Sequence, residues 1–351
     1  MAQAEAASRE KEPLWRNLDA VLERAPGFDD LLDQRVHLLA ARRWRELGRL
    51  VPESIVEQER LAALITMMAP RVLERVRAAV EGPLVLIKGP ELAALYPDPS
   101  LRPYGDLDLL VANPQAARRA LLEVGFVETG DPDLYRDIHH LRPLALPKLP
   151  LLVELHRVPK WPDRLAPPRP EELLAAIVPS ATGLGGISAL APEYHAVVVA
   201  AHSWAHEPLR RLIDLVDVAA VVSNADRGEA AAVAHRFGLE RVWRTTLAVV
   251  DVVLLHADGP PAPLRLWARN VPRARARTVL ESHAESWLAP FWELPPRAAV
   301  AAAAAAVARD LRPEHGEGWR AKLHRTRLAI ANSQRPRSEH DRILGRHDEN
   351  P

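Results

Sequence analysis

The chain has 351 residues, enough for two or three packed units and a sizeable core. Its 46 Lys and Arg balance 46 Asp and Glu, so no net basic field announces nucleic acid, and DNA is not an expected partner. Cysteine is absent, which excludes disulfides, Cys-ligated zinc and thiol catalysis and fits a reducing cytosol.

Residues 1–13 are polar, carry acidic groups and lack an apolar stretch of the signal-peptide kind, so a frayed cytoplasmic start is expected. From Leu14 to Val80 the apolar positions Leu18, Val21, Leu22, Leu31, Leu32, Val36, Leu38 and Leu39 recur at helical spacing. Pro26-Gly27 and Val51-Pro52 divide this stretch into three expected helices, the last strongly amphipathic.

The pattern changes at Glu81-Gly82-Pro83. Leu84 to Ile87 reads as a buried strand, Glu91 to Tyr96 as a short helix and Asp106 to Val111 as a second strand. Asn113-Pro114 starts a helix, with Asn as its cap and Pro at its first position, running to about Val124. A strand is expected within Tyr135 to Leu146, around His139-His140, and a third clear strand at Leu151 to Arg157. Strands mixed with helices in this way predict an α/β (α+β) fold, a small mixed sheet with helices on its face.

Pro159 to Pro170 is a proline-rich connection. After Gly183-Leu184-Gly185-Gly186 helices are expected at Glu193–Ala205, Pro208–Val222, Arg227–Phe237, Glu240–His256, Pro263–Ala268 and the alanine-rich Pro296–Leu311. The organisation predicted is a helical region over 1–80, an α/β domain over 81–180, a helical domain over 187–335 and a disordered tail over 336–351. The longest apolar run, Thr246 to Ala257, is short and holds Asp251, so no membrane partner is expected. Most of the nine tryptophans should be core or domain-interface anchors; Trp161, shortly after Glu154, could stack on a base or sugar, a role not assigned to it.

The chemistry concentrates at Asp106-Leu107-Asp108. A strand alternates its side chains, so both carboxylates point to one face. Adjacent carboxylates repel, and the pair is either a solvated strand end or a site for a hard divalent cation. The same alternation places Leu152, Glu154 and His156 on one face of the third strand. Gly89 lies between strand and helix, where a backbone without Cβ can approach a phosphate and a helix start offers free N–H groups. Lys88 and Arg102 flank this turn as candidate triphosphate contacts, each with a structural ion pair as the alternative. His202 and His206 share a helix face at a spacing that suits zinc, but no third ligand is evident. His139-His140 could line the pocket mouth, although such doublets usually carry little weight.

Lys88-Gly89, the run Arg102 to Val111 and Leu151-Leu152-Val153-Glu154-Leu155-His156 resemble a bacterial family of uncharacterised nucleotidyltransferases within the polymerase-β-like superfamily. The resemblance implies a nucleotidyltransferase domain in which Asp106, Asp108 and Glu154 are catalytic and hold Mg²⁺, in a two-metal site that also admits Mn²⁺. It implies nucleotide contacts from Lys88, Gly89, Arg102, His156, His202 and Asp217. The partners implied are an NTP and a hydroxyl acceptor on a small molecule, a protein or an RNA. Gly89-Pro90 departs from the superfamily's usual Gly-Ser, which leaves an inactive nucleotide-binding or regulatory module as an alternative. A toxin-like enzyme acting on tRNA or protein is another.

Overall fold

The computed structural model describes residues 13–24, 27–135, 139–206, 208–255, 279–313 and 316–333. Described residues through Leu255 form one compact unit, and those from Val279 onward form a second. The expected helix at 263–268 and tail at 336–351 lie outside the described residues.

The first unit opens with helices α1 (Pro13–Leu22), α2 (Phe28–Asp33), α3 (His37–Glu46) and α4 (Glu53–Ala79). The sequence predicts three helices here. The extra break falls after α2, where Arg35 adopts φ 55° and the Val36 N–H returns to the Leu31 carbonyl at 3.0 Å, a left-handed cap made without glycine. Asn113 caps the expected helix after the second strand, accepting from the Ala116 N–H at 3.1 Å, and α6 spans Pro114–Glu123. Between them lies α5, the single turn Pro90–Ala93.

Seven strands form one mixed sheet: β1 (Leu84–Leu86), β2 (Asp106–Val111), β3 (Val127–Glu128), β4 (Leu144–Ala145), β5 (Leu152–His156), β6 (Ile177–Pro179) and β7 (Ile187–Leu190). Their order is β3-β4-β5-β2-β1-β7-β6. β2 pairs antiparallel with β1 and parallel with β5, so two strands carrying carboxylates sit side by side near the middle. The strand expected around His139-His140 is shorter than predicted. His140 makes only an isolated bridge to His156, and the regular pairing resumes at Leu144 because Pro143 has no N–H to donate. The hairpin of β6 and β7 was not expected. Ile177-Val178-Pro179 is short and exposed, an edge strand closed by proline, and the glycines that follow read as loop.

The sheet's two faces bury separate cores. Leu84, Leu86, Leu107, Leu109, Val153 and Leu155 pack against Ala69, Val72, Leu73 and Val76 of α4 and Ala117 and Leu121 of α6. On the other face, Val85, Ile87 and Leu110 join Leu173 of α7 (Pro170–Leu174) and the helices that follow β7: α8 (Pro192–His206), α9 (Leu212–Val222), α10 (Arg227–Arg236) and α11 (Glu240–Val250). Almost every residue of α9 is buried, and each of its Leu, Ile and Val side chains contributes roughly 1.5–3 kcal/mol. A π-turn, Asp251–Leu255, ends the unit's described residues. Trp161 lies in this core with its ring centroid 6.1 Å from that of Phe237, buried away from solvent.

The second unit holds α12 (Val279–Leu288), α13 (Pro290–Glu293), α14 (Pro296–Leu311) and α15 (Trp319–Ser333). The alanine-rich α14 buries Ala299, Ala303 and Ala306, one helix stripe. Asp310 accepts from both His283 Nδ1 and Trp287 Nε1 at 2.9 Å.

Candidate functional site

The site forms on the sheet face that meets α8 and α9. In parallel register Asp108 stands beside Glu154, and Leu110 beside His156, so the alternation in β2 and β5 sets Asp106, Asp108, Glu154 and His156 on one face. His156 Nε2 lies 2.8 Å from Asp108 Oδ1 and 3.7 Å from Glu154 Oε2. Ligand atoms of Asp108, Glu154 and His156 all fall within 4.8 Å of one another, a group that could hold a metal ion. Asp108 is 4 % exposed, and its Oδ2 is buried with no hydrogen-bond partner among the described residues. A buried carboxylate oxygen without a donor is costly unless a cation or proton faces it. The residues present therefore fit a divalent cation.

Gly89 closes β1 onto α5 with φ 59° and ψ −122°, a backbone region essentially reserved for glycine. A Cβ there would stand 2.9 Å from the Asp106 carbonyl oxygen, so this turn and the start of β2 touch. The end of β1 is held from both sides. The Ile87 N–H donates to the Asp108 carbonyl at 3.0 Å, and buried His195 of α8 donates Nε2–H to the Ile87 carbonyl at 2.7 Å.

Lys88 reaches α8, where its ammonium donates to His202 Nε2 at 2.7 Å. An ammonium only donates, so Nε2 is the acceptor and the His202 ring is neutral. The side chain of His206 lies outside the described residues. Arg102 and Asp217 meet in a buried bidentate pair, Nε to Oδ1 and Nη2 to Oδ2, both at 2.7 Å. They are 6 % and 2 % exposed. Tyr96 donates its hydroxyl to the same Asp217 oxygen at 2.7 Å, and Arg102 Nη1 reaches the Gly89 carbonyl at 3.4 Å. The structure thus brings Lys88, Gly89, Asp106, Asp108, Glu154, His156 and His202 around one place, and braces it with Arg102 and Asp217.

Electrostatics separates the carboxylates. Burial, joined by the neighbouring Asp108 charge, pushes Asp106 up to about 6. Burial works the same way on Asp108, but the His156 hydrogen bond and charge outweigh it and hold Asp108 well below the usual carboxylate range. For His156 burial favours the neutral ring, yet the hydrogen bonds and charges of Asp108 and Glu154 raise it to about 9. His139 goes the other way, down to about 3, through burial and the charges of His156 and His140. Asp214, one turn before Asp217, is raised by burial against the pull of Lys88.

Sequence reasoning missed several contributors. Burial and the Lys88 charge lower Lys160, which also feels Glu154. Arg35 is lowered by burial and by Arg211, and senses Asp214 and Asp106. Gln34 sets these two arginines together, because its Oε1 accepts from the Leu212 N–H at 2.6 Å and its carbonyl from Ile213 at 3.3 Å. Lys160 sits in the proline-rich connection and Arg35 on a helix end, and neither position carries a motif. The His139-His140 doublet also belongs here: the ring centroids of His139, His140 and His156 lie 4.7 to 5.4 Å apart. The signal was available in the pairing of that segment with β5, which sequence alternation alone does not give.

The fold and site define a mixed α/β protein whose adjacent parallel strands carry a buried group able to hold a metal ion. Residues 31–254 match the model of a family described as uncharacterised nucleotidyltransferase, and the chain belongs to that family. Membership supports nucleotidyl transfer in general and a nucleotide as substrate. No curated protein and no solved structure matches the chain. Among the described residues no helix is long and apolar enough to cross a membrane.

Proposed function

We propose that the protein is a Mg²⁺-dependent enzyme that moves a nucleoside monophosphate from an NTP to a hydroxyl acceptor. The acceptor oxygen forms a bond to the α-phosphorus, the bond from that phosphorus to the bridging oxygen breaks, and pyrophosphate leaves with the electron pair. Asp106, Asp108 and Glu154 would hold the cations, which supply charge neutralisation for the triphosphate and acidify the attacking hydroxyl. Glu154, at the side of Asp108 and open to partial solvent contact, receives the hydroxyl proton. Gly89 lets the backbone approach the triphosphate, and Lys88 offers it an ammonium. His202 orients that ammonium. Arg102 and Asp217 act on the nucleotide through the turn they brace.

The observation that carries this reading is the lateral pairing of Asp108 with Glu154, with the unpartnered Asp108 Oδ2 buried beside them. The test is label transfer. The full chain is incubated with each α-labelled NTP, Mg²⁺ and a host extract, beside an Asp106→Ala/Asp108→Ala control. Label entering a protein, RNA or small-molecule fraction with the wild type alone is expected, and the fraction names the acceptor class. Absence of transfer with every NTP, together with absence of cation-dependent nucleotide binding, refutes the reading in favour of a non-catalytic module.

A further inference from the structure

We propose that the cation position between Asp108 and Glu154 is a mixed carboxylate–imidazole site, with His156 Nε2 as its nitrogen donor and His140 Nε2 at its rim, and that it therefore prefers Mn²⁺ to Mg²⁺. The inference deepens the reading above and rests on it only for the presence of a cation.

The donor atoms are already gathered. His156 Nε2 stands 2.8 Å from Asp108 Oδ1 and 3.7 Å from Glu154 Oε2. Ligands held at about 2.0–2.2 Å from one ion sit roughly 3 to 3.5 Å apart, so small side-chain movements convert this cluster into a coordination shell. His140 adds an independent observation. Its Nδ1–H donates to the Leu141 carbonyl at 2.7 Å, and its Nε2 lies 3.6 Å from Glu154 Oε2. Both main partners are deeply buried, His156 at 2 % exposure, and Asp108 Oδ2 has no donor among the described residues.

The surroundings decide the ion. Mg²⁺ demands oxygen ligands in near-ideal octahedral geometry and keeps several of its waters. Three imidazole rings crowd this position, which limits the water it can hold. Manganese shares the oxygen preference of Mg²⁺, but as a larger transition ion it tolerates an irregular shell in which an imidazole nitrogen replaces a water. Without a cation, the Nε2 proton of His156 bridges to Asp108. Ligation replaces that proton, which leaves to solvent.

The test uses the full chain, stripped of metal by chelation, with Mn²⁺ alone as the probe. Pulsed electron paramagnetic resonance on protein with natural and ¹⁵N-labelled histidine reads the nuclei bound to the ion. A nitrogen coupling that changes with the label is expected, as is Mn²⁺ binding measurably tighter than Mg²⁺ in competition. His140→Gln, at the rim, should weaken Mn²⁺ several-fold while leaving Mg²⁺ affinity unchanged. Mn²⁺ bound through oxygen alone, or displaced by Mg²⁺ on equal terms, overturns the proposal. If label transfer still occurs in that case, the nucleotidyltransferase reading stands without it. Failure to bind either ion, with no transfer, removes both.

Discussion

Asp217→Asn tests the brace behind the glycine turn. The substitution keeps the shape of the side chain and removes its charge. Arg102 then stays charged at 6 % exposure, with a neutral amide where it had two charge-assisted bonds of 2.7 Å. Removing one partner of a buried pair costs about 3–5 kcal/mol, because the charge left behind is uncompensated. Tyr96 still finds an oxygen to accept its hydroxyl, so that bond adds little to the loss. The double variant Arg102→Met/Asp217→Leu has no stranded charge. Its expected cost is lower than that of Asp217→Asn and arises mainly from the orphaned Tyr96 hydroxyl, about 1–3 kcal/mol. Urea unfolding of the full chain, followed by circular dichroism and tryptophan fluorescence, measures both. A cost below about 1 kcal/mol for Asp217→Asn would refute the argument. So would a double variant whose loss equals the sum of its singles, since groups in one network do not add.

Two further outcomes follow from the site's geometry. Gly89→Ala places a Cβ 2.9 Å from the Asp106 carbonyl and forces alanine to φ 59°, so a loss of about 1–3 kcal/mol is expected, with weakened nucleotide binding measured by calorimetry. Unchanged melting temperature and unchanged binding would contradict it. The folded His156 titrates near 9, above its unfolded value of about 6.5, so its stabilising contribution is complete below about pH 6.5 and is lost as pH rises through 9. The stability gap between wild type and His156→Gln should then be largest at pH 6, roughly 3 kcal/mol, and close towards pH 10. Parallel pH–stability curves for the two proteins would count against the ion pair with Asp108.

The strands that carry the chemistry were readable because they are short, apolar and alternating. Asp106-Leu107-Asp108 and Val153-Glu154-Leu155 each fix which side chains share a face, and β2 and β5 follow that rule. Alternation within one strand says nothing about its neighbour, and so the parallel register of Asp108 on Glu154 became visible only in the sheet. The same reason hid the histidines. His139 and His140 stand beside His156 because their carbonyl and bridge contacts pair them with β5, across a connection that Pro143 interrupts. Arg102 illustrates a different limit. Sequence placed it on the approach to the carboxylates, whereas its partner Asp217 lies 115 positions later on a helix whose packing alone sets their meeting. Gln34 has no local pattern at all, since its role is to cap a helix that starts nearly two hundred residues downstream.

The first helix has a consequence for how this protein is made. Trp15 is wholly buried, 4.9 Å from the ring of Tyr96, and Asn17 donates to the Leu254 carbonyl at 2.8 Å across 237 positions. A ribosome adding about 5–20 residues per second delivers that partner roughly 10–50 s after the helix emerges. Throughout that interval the stripe of Leu14, Trp15, Leu18, Val21 and Leu22 lacks the turn at Asp251–Leu255 against which it finally packs. The nascent chain is therefore a natural client for holding chaperones, and its yield depends on the speed of translation as well as on the stability of the finished fold.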